Sequence, residues 1–156
     1  MSYHNGSIWP HDNALIALGL ARYGEKAAVA RIFQALSDAA TYMDLRRLPE
    51  LFCGFTRVRG RGPTLYPVAC APQAWASAAF YALVEACLGI EQDPWAGDIR
   101  FRNPVLPPFL DKIVLRELRV GEASVDVSIR RHRDGKLSLQ TLNSRGDVQV
   151  TAIFRG

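Results

Sequence analysis

The chain changes its hydrophobic rhythm from helical spacing, over residues 12–44 and 72–88, to alternation beyond residue 113. Residues 12–24 (DNALIALGLARYG) predict a first helix, with Asp12 as N-cap and Gly24 just past its end. Only Asn13 and Arg22 are polar within it, so this helix is expected to be buried nearly all round. Residues 25–44 predict a second helix. Its apolar face carries Val29, Ile32, Phe33, Leu36, Ala40 and Met43, opposite Arg31, Gln34, Asp38 and Thr41. A third helix is predicted from Pro72, a residue suited to a first turn, to Leu88, with Gly89 ending it. Its one charge is Glu85, so burial on all sides is expected here too. Between these helices, residues 45–71 hold Pro and Gly and read as a long loop, which inside a compact domain usually carries function.

From Gly89 to Asp111 the pattern breaks at Pro94, Pro104, Pro107 and Pro108, which predicts a linker. Val125, Val127 and Ile129 then alternate with Ser124, Asp126, Ser128 and Arg130; Leu137 and Leu139 follow, and Val148, Val150, Ala152 and Phe154 come last. Asp134-Gly135 is a strong hairpin turn and Asn143–Gly146 a weaker one. With Ile113–Val120 this predicts about four antiparallel strands with one wet face. The expected architecture is therefore mainly α with a β appendage: a helical region over 1–99, then a linker and small antiparallel sheet over 100–156. Two helices that are apolar on every side need cover, so further chain, a partner subunit or a second copy is expected to supply it.

Composition narrows the class. At 49% hydrophobic and 22% charged residues, the chain belongs to the globular class. No apolar run reaches the roughly 18 residues that span a bilayer, so no membrane association is expected. The first residues, MSYHNG, lack the basic and apolar regions of a secretory signal, which makes cytoplasmic residence the expectation. Cys53, Cys70 and Cys87 are odd in number and widely spaced, arguing against a disulfide framework or a zinc site and for small buried hydrophobes. Residues 1–99 hold 8 Lys+Arg against 9 Asp+Glu, whereas residues 100–156 hold 11 against 6. A basic tail can meet an acidic partner. Its charges alternate with apolar residues, however, so the wet face of a sheet is the preferred reading and no nucleic acid is expected.

Two islands carry the candidate chemistry: Tyr3–Asn13 (YHNGSIWPHDN) and Leu48–Arg57 (LPELFCGFTR). Each packs aromatic rings, hydrogen-bonding side chains and turn residues into a short stretch. Rings stack on the apolar faces of pyranoses while carboxylates and amides take the hydroxyls, so a sugar cleft uses this mixture. Glu50, flanked by Leu51, Phe52 and Phe55, has surroundings that desolvate a carboxylate and suit proton transfer. Its other reading is structural: a cap for backbone amides, or a partner for Arg46, Arg47 or Arg57. Tyr3, Trp9, Tyr66 and Trp75 are candidates to line a cleft, and equally candidates for core. His4, His11 and Asp12 lack ligand spacing on one helix face, so no metal is expected. Arg57–Pro63 (RVRGRGP) lacks the Lys-Ser/Thr ending of a phosphate loop and reads as a lid or solvated loop.

Together the Tyr3–Asn13 island, Arg47–Phe52 (RLPELF) and Tyr66–Trp75 (YPVACAPQAW) resemble the C-terminal part of bacterial glycogen debranching enzyme-like proteins. These are of the amylo-α-1,6-glucosidase type and belong to the six-hairpin glycosidase superfamily. The resemblance covers essentially the whole chain, including Asn103–Pro108 (NPVLPP). It implies the last helices of an (α/α)6 toroid, followed by a small antiparallel β-sheet. It also implies an inverting α-glucosidase that needs no cofactor. Inversion requires two carboxylates roughly 6.5–9.5 Å apart. By motif position Glu50 matches the general base. Tyr3, His4, Trp9 and Asp12 match the substrate pocket, Gln73 and Trp75 form the next rim, and Arg57 joins the substrate-binding set. The general acid of such enzymes lies on an earlier hairpin that has no counterpart here. The isolated chain is therefore expected to be inactive or nearly so, whether as a truncated product or as one subunit of a split enzyme. The alternative is a non-catalytic carbohydrate-binding or scaffold subunit.

Overall fold

A computed structural model describes residues 2–154 of the chain, which divides into two compact units, Met1–Val84 and Glu85–Gly156. The sequence-based division at 99/100 falls inside a strand, Asp98–Arg102.

The first unit opens with a short strand, β1 (Ser7–Ile8), and continues into α1 (Pro10–Arg22). Pro10 stands at the first helical position, where its missing N–H costs nothing, and Trp9 before it is extended. Asp12, expected to be the N-cap, lies inside the first turn, where its charge faces the positive end of the helix dipole. The helix ends as the sequence predicts: Gly24 adopts a left-handed φ of +84°, its amide reaches Ala21 O, and the Glu25 amide reaches Leu20 O. Helix α2 (Lys26–Ala40) packs on α1 and buries Val29, Phe33, Leu36 and Ala40. The chain then turns through a 3₁₀ segment, Asp44–Arg46, in which Leu45 and Arg46 are both left-handed. It continues through β2 (Phe52–Cys53) into α3 (Ala74–Leu88). Here Ala76, Ala79 and Leu83 are buried, and the Phe80 ring lies 6.1 Å from that of Phe33.

The second unit contains the end of α3 and two three-stranded sheets. In one, β3 (Ile90–Asp93) pairs antiparallel with β4 (Asp98–Arg102), and β4 pairs parallel with β8 (Gln149–Ile153). In the other, β6 (Ala123–Arg131) lies between β5 (Lys112–Val120) and β7 (Leu137–Arg145), both antiparallel to it. Val125, Val127 and Ile129 of the central strand are fully buried, as their alternation predicts.

Five expectations are overturned. Helix and strand each account for about 30% of the chain, in three helices and three sheets among the described residues, so the fold is mixed rather than mainly α, and no toroid is built. Within the stretch read as a linker, residues 90–102 form the β3–β4 hairpin, because Pro94 sits in its turn and Gly97 supplies a left-handed residue there. The last strand does not extend one antiparallel sheet. Asn143–Arg145 stays in β7, and β8 crosses to the other sheet to lie parallel to β4. Finally, α1 and α3 are not buried all round: Leu15 is 63% and Tyr81 81% exposed. Small residues, Ala14, Ala17, Ala76 and Ala79, make the packed faces instead. The cysteines differ as well: Cys87 is buried, Cys53 half-buried and Cys70 exposed.

Candidate functional site

The two islands meet through backbone pairing. Ser7 faces Cys53 and Ile8 faces Phe52 in an antiparallel β1–β2 ladder. The Gly54 amide extends it by donating to Gly6 O at 2.8 Å. Only glycine serves here, because a Cβ at position 54 would overlap the Gly6 carbonyl oxygen. The residues just before the third motif join on the other edge: Phe52 bridges to Leu65, and the Cys53 amide donates to Thr64 O at 2.8 Å. Segments far apart in sequence are thus held side by side.

Glu50 lies inside this clasp. Leu48, Pro49 and Leu51 around it are fully buried, and Glu50 itself is 8% exposed. Its amide donates to Cys70 O at 2.8 Å, and the Cys70 amide donates to Glu50 Oε2 at 3.2 Å. The carboxylate is therefore fixed from both backbone and side chain by one residue, the amide-capping role that the sequence left open. The Tyr3 hydroxyl also hydrogen-bonds Glu50. That bond, with partial desolvation and the negative charge of Glu50, pushes the Tyr3 pKa up to about 12, so Tyr3 keeps its proton and donates it. Glu50 makes no ion pair among the described residues; Arg57 pairs with Asp38 instead, at 2.6 Å.

A string of rings extends from this dyad. Tyr3 meets Tyr66, His4 and Trp9 edge-on at centroid distances of 5.5, 5.1 and 5.3 Å. His4 lies parallel to Trp9 at 5.9 Å. Trp9 meets His11 edge-on at 5.6 Å, and His11 stacks on Trp75 at 4.5 Å. Edge-to-face and offset-stacked pairs at these distances are favourable and keep the rings ordered. Trp75 ends the string 48% exposed, and His4 is also open to solvent. His11 Nε2 is 3.1 Å from Asp12 Oδ1, while its buried Nδ1 has no partner.

Of the residues singled out from sequence, Tyr3, His4, Trp9, Glu50 and Trp75 come together. Three do not contribute as expected. The Gln73 Oε1 accepts from the Ala74 amide at 3.0 Å and so caps the start of α3. Asp12 is exposed and turned to His11. Arg57 lines a different cavity, of about 550 Å³, between α2 and the loop 52–64; none of the five gathered residues lines it. Phe55, expected beside Glu50, faces that cavity as well. Two further rings join them: Tyr66, on the segment that carries Cys70, packs edge-on against Tyr3, and His11 links Trp9 to Trp75.

A fixed carboxylate beside a tyrosine hydroxyl, next to exposed rings, can bind a polyol face and accept a proton from water or a hydroxyl. No three His, Cys, Asp or Glu side chains cluster as a metal site among the described residues. No described helix is long and apolar enough to cross a membrane. The sequence matches no protein-family model and no curated protein.

Proposed function

We propose that the first unit carries an α-glucan site of the glycoside-hydrolase kind, in which the rings hold the sugar and Glu50 is the carboxylate that activates water. The observation that carries this reading is the placement of Glu50. A nearly buried carboxylate is pinned by the Cys70 amide and the Tyr3 hydroxyl at one end of a ring string that ends in the half-exposed Trp75. Such pinning holds a base in one orientation, and the open rings match the flat apolar faces of glucose units. The reading rests on this site and on the motif resemblance, not on a toroid.

Hydrolysis with inversion takes a second carboxylic acid to protonate the leaving oxygen. We assign that acid to a further chain segment or a partner subunit, as the motif resemblance implies. Exposed Leu15, Ile16 and Tyr81 support a covering surface of that kind, supplied by a partner or a second copy. Without the acid, loss of proton donation removes on the order of 10²–10⁴-fold in rate.

A second reading, carbohydrate binding without hydrolysis, is favoured by the bonds that Glu50 already makes to Cys70 and Tyr3. Glu50→Gln separates the two. Under the catalytic reading it abolishes α-glucan hydrolysis by the acid-supplemented protein while binding persists. Under the binding reading there is no hydrolysis to lose.

A further inference from the structure

The loop 54–64 runs along α2 without joining the core. Phe55 and Val58 on it are 61% and 54% exposed, although each lines the 550 Å³ cavity against Ile8, Ile32 and Phe52. That volume falls in the range of small-ligand sites, roughly 300–1,000 Å³. The loop is held in place at two points. Arg57 reaches across to Asp38 at 2.6 Å, and Gly62 lies so close to the Tyr42 ring that a Cβ there would sit 2.8 Å from it. The cavity is therefore a built feature of the loop's path.

Its charge is one-sided. Arg31, Arg57 and Arg61 line it against a single carboxylate, Asp38. Both oxygens of Asp38 are occupied, one by Gln34 Nε2 and the other by Arg57, each at 2.6 Å. Arg31 and Arg61 have no ion-pair partner among the described residues. An apolar cavity thus opens beside two uncompensated guanidinium groups, which suit planar anions.

We propose that this cavity binds an apolar monocarboxylate, with an aliphatic or aromatic body against Ile8, Ile32, Phe52 and Phe55 and the carboxylate at Arg31 and Arg61. The site is independent of the one built around Glu50.

Titration of the full chain with octanoate, octan-1-ol and octylamine, by calorimetry in low salt, tests it. Octanoate binds at least about tenfold more tightly than either analogue. In R31Q/R61Q, both positions being exposed, the fold stands and octanoate loses that advantage. Val58→Trp, which fills the cavity from its open side, removes octanoate binding while the thermal transition is kept. Equal affinity for the three ligands overturns the proposal. So does an undiminished octanoate preference in R31Q/R61Q, or no octanoate binding to the folded chain up to about 10 mM, well above the millimolar scale of weak sites.

Discussion

The Tyr3 hydroxyl donates to the carboxylate of Glu50, tying the first island of the chain to the second through side chains, where β1 and β2 already join them through backbone. The bond has a measurable signature. Tyr3 is the phenol whose pKa is raised, to about 12 from 10.0, first by the hydrogen bond to Glu50. In a difference titration of tyrosinate absorbance against Tyr3→Phe, the missing phenol is one that ionises near 12. In Glu50→Gln, where the negative charge is gone, Tyr3 titrates closer to 10. The sign for stability follows. A raised folded pKa favours the protonated, folded form, so the contribution is complete below pH 10 and is lost as pH rises through about 12. Tyr3→Phe should therefore flatten the alkaline loss of stability over that window, read from melting temperatures at pH 9 to 12.

Gly54 carries the junction between the islands. Gly54→Ala forces a Cβ into the Gly6 carbonyl and breaks the 2.8 Å amide bond between them. Overpacking of this sort costs about 1–3 kcal/mol. The change should lower the unfolding midpoint and raise amide exchange at Ser7, Ile8, Phe52 and Cys53 more than in α2. Gly24→Ala, by contrast, has open space around its Cβ and is opposed only by its left-handed φ of +84°. It should cost about 1 kcal/mol and leave exchange in the β1–β2 pair as it was.

The Asp38–Arg57 pair is a surface interaction and should behave as one. Arg57 holds the Asp38 carboxyl below its ordinary value of 3.8, mainly by direct hydrogen bonding. The stability it adds is present above that value and is lost as pH falls through the lower folded pKa. Arg57→Ala should bring the Asp38 pKa back toward 3.8 by carbon-detected NMR titration and cost only about 0.2–1 kcal/mol at pH 7. A larger loss would mean that Arg57 holds the loop 54–64 by more than this ion pair.

What was legible in the sequence was local. Gly24 and the alternation through Val125–Ile129 fix their elements by backbone preference and burial alone, and the structure places them accordingly. The motifs that carry Tyr3, His4, Trp9, Glu50 and Trp75 are dense and distinctive, and the structure joins these residues in one string through Tyr3 and His11. What failed depended on where a neighbour lies. The resemblance assigns Arg57 to the sugar site, whereas the loop's path delivers it to Asp38. Gln73 satisfies an orphan amide at the start of α3, which no side-chain pattern announces. The parallel β4–β8 pairing joins Asp98–Arg102 to Gln149–Ile153 across the whole β5–β7 sheet, a long-range choice that period-two alternation does not encode. The scarcity of polar residues in α1 and α3 predicts burial all round, whereas Leu15, Ile16 and Tyr81 are exposed and one face of each helix, built on Ala14 and Ala17 or on Ala76, Ala79 and Leu83, makes the packing.

Trp75 separates sugar binding from core packing. Half exposed and stacked on His11 at 4.5 Å, it can be truncated without opening the core. Trp75→Ala should shift the melting temperature little and still weaken glucan binding by about tenfold, the loss of roughly 1.4 kcal/mol of stacking.

The central claim, that this ring string and Glu50 form an α-glucan site, is tested most directly by calorimetric titration of maltotetraose into the full chain, with cellotetraose as the β-linked control. Saturable binding of maltotetraose is expected, with weaker binding of cellotetraose, and with the maltotetraose affinity about tenfold lower in Trp75→Ala but kept in Glu50→Gln. Absence of maltotetraose binding to the folded protein, or binding that Trp75→Ala leaves unchanged, would contradict it.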